Sequence, residues 1–308
     1  MYEYDVIIAG GGPAGYSAAL YCARASLRTL LIEELAAGGQ MSLAPYIENY
    51  PGFDAGVEGL ELASKMQKGA EKAGALTLYA GVLNLDLRGK NKKISTSKGD
   101  FTSKTVILAM GASPRTPGLP GESRLLGRGL SYCAACDGPL FKNKTAAVMG
   151  GGNSALGEAL TLSYICRKVF LIHRGGSFSA EKISVNAVND RANIIVLRHT
   201  EVTGFILEND HLAGLELKDK TSGGRSRLDC DGLFVAIGRV PNTKLCRPYV
   251  LTDQEGYIIA DESTCPNIPG VFAAGDLRRK PLRQIITAAA DGAVAAMKCE
   301  KYISEAFI

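Results

Sequence analysis

A chain of 308 residues is too long for one simple core and fits two domains of about 150 residues each. Hydrophobic residues make up 46% and charged residues 21%, the balance of an ordinary globular protein. The net charge is only +4, from lysines and arginines scattered along the chain. This argues against a nucleic-acid partner, because such proteins concentrate positive charge on one face.

No run approaches the roughly 18 consecutive apolar residues that span a bilayer. The first ten residues also lack the basic segment and long apolar segment of a signal peptide. The sequence therefore predicts a cytoplasmic protein without a membrane partner. In that compartment six of the eight cysteines are expected to be reduced and structural: Cys22, Cys166, Cys230, Cys246, Cys265 and Cys299.

The first predicted element is a buried strand that runs into a glycine-rich turn and an alanine-rich helix. Gly10 would make the tight turn, Gly12 would let the backbone approach a pyrophosphate, and Gly15 would let the helix pack against the strand. The next strand ends in Glu33, at the spacing where a carboxylate accepts hydrogen bonds from ribose hydroxyls. A glycine-rich turn without a ligand is the alternative, but these elements together indicate a dinucleotide site.

Further along, Cys133 and Cys136 form a CxxC pair with Asp137 beside it. Two residues between the cysteines allow a small-ring disulfide whose thiols exchange readily. Zinc is the alternative, but it needs four ligands, and the other cysteines and the three histidines lack that spacing. The sequence therefore predicts a redox pair and no metal site. Asp137 is a candidate proton donor and acceptor, with a helix N-cap as its structural alternative.

The glycine turn returns at 150–155, after a second predicted buried strand and before a helix. The following strand ends in His173 and Arg174 where the first motif has an acid. A carboxylate would repel a 2′-phosphate, whereas a guanidinium can hold one through paired hydrogen bonds. His173 has a packing histidine as its alternative. Two dinucleotide sites in one chain suggest a flavoprotein that receives electrons from a nicotinamide.

With these motifs the chain resembles the low-molecular-weight thioredoxin reductases, which are FAD-dependent pyridine nucleotide-disulfide oxidoreductases. The similarity is carried by GGGPAG near the start, AGGQM at 37–41, IENYPGF at 47–53, SYCAACDGPLF at 131–141 and AAGDLRRKPLRQIITAAADGAVAA at 273–296. It implies an α/β protein with two Rossmann-like, three-layer nucleotide-binding domains. The FAD domain would comprise residues 1–111 and 241–308. The NAD(P)H domain, with the CxxC pair, would be inserted at 112–240.

The same resemblance implies which residues hold each cofactor. The FAD-binding residues would be Gly10, Gly12, Pro13, Ala14, Gly15, Glu33, Gly39, Gln40, Asn49, Gly275, Asp276, Arg283, Gln284 and Ile285. The residues that bind NADPH or NADH would be Gly150, Gly152, Asn153, Ser154, Ala155, His173 and Arg174. Because the family is homodimeric, a homodimer is expected here as well.

In the mechanism of that family, a nicotinamide reduces FAD, and reduced FAD passes electrons to the disulfide. By resemblance, Cys136 would face the flavin, Cys133 would attack the disulfide of thioredoxin, and Asp137 would manage the protons. The inserted domain would rotate on two hinge strands near 111–114 and 238–241. Arg128 and Phe141 match family positions that dock thioredoxin, with a surface arginine and a core phenylalanine as the alternatives.

The nicotinamide motif departs from the family pattern. NADPH users generally carry a histidine, two arginines and, four residues later, a third arginine; here Gly175 and Ser179 replace the last two arginines. Each charge-assisted contact contributes about 1.5–3 kcal/mol, so weak discrimination between NADPH and NADH is expected. The departure also leaves open a ferredoxin or deazaflavin donor. A flavin-binding sensor without turnover is disfavoured, because the CxxC segment is intact.

Overall fold

The structure, a computed structural model, describes residues 3–44 and 46–307. Within those residues the chain forms seventeen strands and six α-helices. The strands are β1 (Tyr4–Ala9), β2 (Thr29–Glu33), β3 (Leu76–Tyr79), β4 (Val82–Asp86), β5 (Lys92–Thr96), β6 (Gly99–Leu108), β7 (Ala112–Pro114), β8 (Leu130–Ser131), β9 (Thr145–Met149), β10 (Lys168–Ile172), β11 (Ile194–Leu197), β12 (Thr200–Glu208), β13 (His211–Asp219), β14 (Arg225–Asp229), β15 (Gly232–Val235), β16 (Arg239–Pro241) and β17 (Val271–Ala273). The helices are α1 (Pro13–Arg24), α2 (Gly59–Lys72), α3 (Ala134–Asp137), α4 (Asn153–Ser163), α5 (Lys182–Asn189) and α6 (Ile285–Ala306).

The chain divides into two compact units. The first unit comprises Met1–Ser113 and Val240–Ile308, and the second comprises Pro114–Arg239. The two short strands β7 and β16 pair with each other where the chain passes between the units. These strands fall in the segments that the sequence analysis predicts as hinges, and the assignment of one cofactor to each unit stays a prediction.

A seven-stranded sheet organises the first unit, in the order β3-β2-β1-β6-β5-β4 with β17 beside β6. The strands β1, β2, β3, β6 and β17 run parallel, and β4 and β5 add an antiparallel edge. The central run Val6–Ala9 is fully buried, as is typical of a parallel strand covered on both faces. On one face α1 and α6 pack so closely that a Cβ at Gly292 would be 2.1 Å from the Ala14 carbonyl oxygen.

The second unit is built on five parallel strands in the order β11-β10-β9-β15-β8. Side chains of α4 and α5 pack on one face, with Leu156 and Val188 in the same apolar cluster as Val148. On the other face Leu215, from the antiparallel sheet β12-β13-β14, shares a cluster with Ala147 of β9. The expected α/β class with two Rossmann-like units is confirmed. No helix in the described part of the chain is long and apolar enough to cross a membrane.

Candidate active site and nucleotide-binding turns

The first glycine turn lies at the carboxyl end of β1 and leads directly into α1. Gly10 adopts a φ of 106°, and a Cβ there would be 2.4 Å from the Ala109 carbonyl oxygen. A Cβ at Gly15 would be 1.9 Å from the Gly10 carbonyl oxygen, so neither position accepts a side chain. At Gly12 a Cβ would meet no atom within 4 Å. Backbone atoms therefore fill the space beside Gly10 and Gly15. The space beside Gly12, at the N-terminus of α1, is open, as the close approach of a pyrophosphate requires.

Glu33, at the end of β2, is hydrogen-bonded to this turn. Its Oε2 accepts the Gly11 amide N–H at 2.6 Å. Its Oε1 accepts the amide N–H groups of Glu34 and Leu35 at 3.0 and 3.3 Å. The carboxylate is thus held beside the middle glycine by three backbone donors, with its negative charge at the start of α1.

Other predicted FAD-binding residues approach the turn from distant parts of the chain. Gly39 lies in a 3₁₀ turn over Gly39–Leu43, and a Cβ there would be 3.5 Å from the Gly12 Cα. Gly275 follows β17, and a Cβ there would be 2.9 Å from the Ala14 Cβ. The structure therefore brings Gly39, Gly275 and the neighbouring Asp276 together with Pro13 and Ala14 at the start of α1.

The remaining predicted FAD-binding residues form separate contacts in the same unit. Asn49 Nδ2 donates to the Gln284 side-chain oxygen at 3.1 Å, immediately before α6 begins at Ile285. The Arg283 guanidinium lies over the Tyr257 ring at 4.0 Å. The Gln40 side chain donates instead to the Ala112 carbonyl oxygen.

The sequence analysis missed a buried ionic cluster behind Gly275. Asp291, 6% exposed in the second turn of α6, accepts the Gly275 amide N–H at 2.9 Å. It also accepts hydrogen bonds from Arg278 Nε at 2.8 Å, Arg278 Nη2 at 2.7 Å and Lys280 Nζ at 2.8 Å. Burial alone would raise the Asp291 pKa, but these donors and their charges lower it below its usual value. The available sequence signal was one carboxylate within the alanine-rich first half of α6.

The second glycine turn follows β9 and leads into α4. The His173 ring lies over its middle glycine, since a Cβ at Gly151 would be 2.2 Å from His173 Nδ1. His173 Nε2 is 2.9 Å from the Ser177 carbonyl oxygen. Ser179 donates to the Gly151 carbonyl oxygen from its amide at 2.9 Å and its hydroxyl at 3.3 Å. The loop after β10 is therefore folded against the turn.

The other residues predicted at this site lie where α4 begins. Asn153 and Ser154 are exposed, Ala155 is buried under the turn, and Asn153 Oδ1 accepts the Glu181 amide N–H at 2.8 Å. Arg174 is exposed beside His173. The structure thus brings the predicted set together around one turn, with Arg174 as its exposed cation.

A disulfide joins Cys133 and Cys136 at the start of α3. Cys133 is the N-cap residue, and its carbonyl oxygen accepts the amide N–H groups of Cys136 and Asp137 at 3.2 and 3.1 Å. Both sulfurs belong to half-buried residues. Burial raises the Asp137 pKa above its usual value, while a hydrogen bond from Ser131 opposes that rise. Ser131 is a second residue that the sequence analysis missed.

The other six cysteines are free. Five of them are buried and Cys265 is exposed. Burial raises the pKa of Cys166 to about 11 and those of Cys22, Cys230 and Cys246 to about 12. In the part of the chain that the structure describes, no group of three or more histidine, cysteine or acidic side chains could hold a metal ion.

One expectation about the partner surface needs correction. Phe141 is only 8% exposed and packs edge-on against Phe234 at 5.2 Å between ring centroids, in the core of the second unit. Its side chain is therefore a core phenylalanine and no surface contact for thioredoxin. The preceding Leu140 is 51% exposed, and Arg128 is exposed.

These features define a class of protein: an α/β redox protein with two dinucleotide-binding turns and an exchangeable disulfide in the inserted unit. The model of the pyridine nucleotide-disulphide oxidoreductase family matches residues 4–292. The chain belongs to that family.

Several relatives within the family match this chain over almost its whole length. It is 44% identical to a thioredoxin reductase of Treponema pallidum, over 98% of this chain and 97% of that protein. It is 39% identical to a thioredoxin reductase of Bacillus subtilis, over 98% and 95% respectively. Among solved structures, a thioredoxin reductase from Streptococcus pyogenes matches with a TM-score of 0.92 and 38% identity, over 98% of both chains. The resemblance to thioredoxin reductases is confirmed.

Proposed function

We propose that this protein is a thioredoxin reductase that transfers electrons from a nicotinamide, through FAD, to the disulfide of thioredoxin or a thioredoxin-like protein. The observation that carries the proposal is the Cys133–Cys136 disulfide, in the unit that also holds the second nucleotide turn. The similarity to proteins named thioredoxin reductase supports the choice of thioredoxin as acceptor.

FAD is proposed to bind at the first turn. The open space at Gly12 fits a pyrophosphate, and Glu33 is held beside it. When bound, FAD supplies the two-electron carrier that links the nicotinamide to the disulfide. The residues from Gly39 and from Gly275–Asp276 would complete the cradle around α1, because both segments lie against that turn.

The cysteine pair would exchange with thioredoxin in balanced steps. Two electrons and two protons convert the Cys133–Cys136 disulfide into two thiols. The Cys133 thiol loses its proton and Cys133 Sγ bonds to one sulfur of the thioredoxin disulfide; the S–S bond breaks and the other thioredoxin sulfur takes a proton. The Cys136 thiol then loses its proton, and Cys136 Sγ bonds to Cys133 Sγ, which restores the intrachain disulfide and releases the thioredoxin sulfur bound there as a second thiol. Asp137, beside Cys136, would hold and release the protons.

The nicotinamide preference is proposed to be weak. Arg174 offers one exposed guanidinium for a 2′-phosphate, while Gly175 and Ser179 offer no charge. No carboxylate takes the place of Glu33 beside the second turn, because His173 lies there. These residues support use of NADPH, NADH or both, and the missing arginines leave ferredoxin or a deazaflavin as the second candidate donor.

The partner surface is proposed to include Arg128 and Leu140, which are exposed in the unit that carries the disulfide. A homodimer is proposed through the first unit. There, Ile286, Val294 and Met297 form an exposed apolar stripe along α6, which packs against α1.

The test is an anaerobic titration of the purified, FAD-loaded protein with NADPH, NADH or reduced ferredoxin, followed by flavin absorbance. We expect bleaching by a nicotinamide at micromolar concentration and subsequent reduction of thioredoxin. The variant Cys136→Ser should keep bound FAD but lose thioredoxin reduction, whereas the matched variant Cys265→Ser should keep both. If reduced ferredoxin alone bleaches the flavin, ferredoxin and not a nicotinamide is the electron donor. Thioredoxin turnover by Cys136→Ser would refute the proposed route through the disulfide.

A further inference from the structure

A single buried hydroxyl connects the two chemically active parts of the redox segment. Ser131, 3% exposed at the end of β8, donates from Oγ to Asp137 Oδ2 at 2.6 Å. The same oxygen accepts the Cys133 amide N–H at 3.0 Å. The hydroxyl therefore bridges the carboxyl group that would manage protons and the backbone of the cysteine that would attack thioredoxin.

Asp137 depends on this hydroxyl more than an exposed carboxylate would. Its second oxygen, Oδ1, is buried and has no hydrogen-bond partner within the described residues. A buried carboxylate with one donor is costly to ionise, so each donor has a large effect on its protonation. Burial raises the Asp137 pKa, and the Ser131 hydrogen bond lowers it.

The position of Ser131 is fixed by the core of the second unit. In the parallel pair of β8 and β15, Leu130 is opposite Leu233 and Ser131 is opposite Phe234. Leu233 and Phe234 are both buried. The hydroxyl is thus presented from a rigid strand, whereas Asp137 lies at the end of the one-turn helix α3. A rigid donor can hold a carboxyl group in place as the neighbouring disulfide opens and closes.

We propose that Ser131 is a positioning residue of the disulfide reductase, whose hydroxyl holds the Asp137 carboxyl group against the Cys133 turn. The inference rests on the proposed function. Ser131 itself exchanges no electrons and forms no covalent bond. Ser131 acts through Asp137. Its hydrogen bond keeps the Asp137 carboxyl group in position and in the form that accepts the Cys133 proton when that thiol attacks.

Among the elements that pack against α3, one carries an ionisable side chain that titrates within the pH range of the experiment. α4 packs against α3 and carries one ionisable side chain, Glu158. Burial raises the Glu158 pKa to about 7, and the charge of Arg239 opposes that rise. The strand β8 and the 3₁₀ turn Gly138–Phe141 carry no ionisable side chain. The variant Glu158→Gln therefore removes the competing titration.

The experiment compares Ser131→Ala with Ser131→Thr, which retains a hydroxyl, over pH 5 to 9. Ser131→Ala should shift the acid limb of thioredoxin turnover upward by ~1 pH unit, because loss of the donor raises the Asp137 pKa. Turnover at the acid end should fall by up to about tenfold. Ser131→Thr should keep the limb near its original position, and the shift should persist with Glu158→Gln present.

A double-mutant cycle separates this role from general disruption of the segment. In the Asp137→Asn background, Ser131→Ala should add no further shift. Ser163→Ala is the matched control, because the hydroxyl of that serine donates to the local Leu160 carbonyl oxygen in α4 of the same unit. The proposal would be overturned if the acid limb of thioredoxin turnover is not shifted in Ser131→Ala. It would also be overturned if Ser131→Ala lowers turnover by the same factor at every pH, both in the parent protein and in the Asp137→Asn background.

A second readout does not require thioredoxin. In the reduced Cys136→Ser protein, the alkylation rate of Cys133 by iodoacetamide is measured against pH by peptide mass spectrometry. Since the thiolate is the reacting form and an ionised Asp137 disfavours it, Ser131→Ala should raise the Cys133 alkylation rate at the lower end of the pH range, where Asp137 stays neutral in the variant. A profile equal to that of the parent would contradict the inference. If the parent protein alkylates at Cys133 with this dependence but never reduces thioredoxin, the proposed function fails while the role of Ser131 stands.

Discussion

At the scale of single residues, the two nucleotide turns differ in the side chain that covers the middle glycine. Glu33 accepts the Gly11 amide N–H, whereas the imidazole of His173 lies over Gly151. The first turn therefore carries a negative charge and the second does not. Because a carboxylate repels a 2′-phosphate, the proposed use of NADPH at the second turn agrees with the absence of an equivalent of Glu33 there.

Restoring one arginine should restore a preference for NADPH. Ser179 is the better position, because a Cβ at Gly175 would be 2.8 Å from His173 Nε2 and would displace the ring. Ser179→Arg should raise kcat/KM for NADPH relative to NADH by about tenfold or more, the effect of one added charge-assisted hydrogen bond. Steady-state kinetics with both nucleotides measures the ratio. Ser179→Gln is the neutral control, and an equal ratio in both variants would exclude the charge effect.

At the scale of elements, α6 does more than cover the sheet of the first unit. Its N-terminus lies at the predicted FAD-binding residue Gln284, and its second turn holds the Gly275 turn through Asp291. Asp291 is buried among two cations, Arg278 and Lys280, whose side chains are 3% and 5% exposed. Removing the carboxylate would take away the buried anion between them and leave Arg278 with only the exposed Glu262 at 3.6 Å among its acidic partners in the described residues. Breaking a buried ion pair in this way typically costs about 3–5 kcal/mol.

The variant Asp291→Asn should therefore weaken both the fold and FAD retention. The free energy of unfolding should fall by ~3 kcal/mol, and FAD should dissociate more readily because a neutral amide oxygen accepts the Gly275 N–H more weakly than the carboxylate does. Urea unfolding of the FAD-free protein and fluorescence titration with FAD measure the two effects. Asp253→Asn, which alters an ordinary turn carboxylate in the same unit, should change neither by a comparable amount. Unchanged FAD affinity would mean that Asp291 contributes to the stability of the fold and not to FAD binding.

The same ion cluster has a defined pH dependence. The folded-state pKa of Asp291 is lowered, so its stabilisation is present above the unfolded pKa of about 3.9. That stabilisation is lost as the pH falls from there through the lowered folded value. The difference in the free energy of unfolding between the original protein and Asp291→Asn, measured with urea, should accordingly be largest at pH 7 and shrink only in strong acid.

Local patterns were enough to predict the nucleotide turns and the cysteine pair. Each depends on residues that lie next to one another in the sequence, so its geometry follows from spacing. Asp291 with Gly275 and Ser131 with Asp137 were not predicted, because these contacts form only after strands and helices pack. The burial of Phe141 was only the alternative interpretation, for a related reason. It lies in a 3₁₀ turn, where no regular apolar period separates an inward residue from the exposed Leu140.

At the scale of the whole molecule, the exposed stripe on α6 is the candidate dimer surface. Met297 is 56% exposed, whereas the residues next to it in α6 are buried or half-buried. A charge at the centre of an apolar interface is unfavourable, so Met297→Glu should shift the protein from dimer to monomer. Sedimentation velocity measures the change. Ile183→Glu, at a more exposed apolar residue of the second unit, is the control, and a dimer retained in Met297→Glu would place the interface elsewhere.

The distribution of thiols has a practical consequence for observing the two units in solution. While the Cys133–Cys136 disulfide is intact, Cys265 is the one exposed thiol within residues 3–44 and 46–307. A maleimide dye or spin label added to the oxidised protein will therefore attach at a single place in the first unit. One introduced cysteine in the second unit then yields a labelled pair, whose separation can be followed by energy transfer as electrons are supplied.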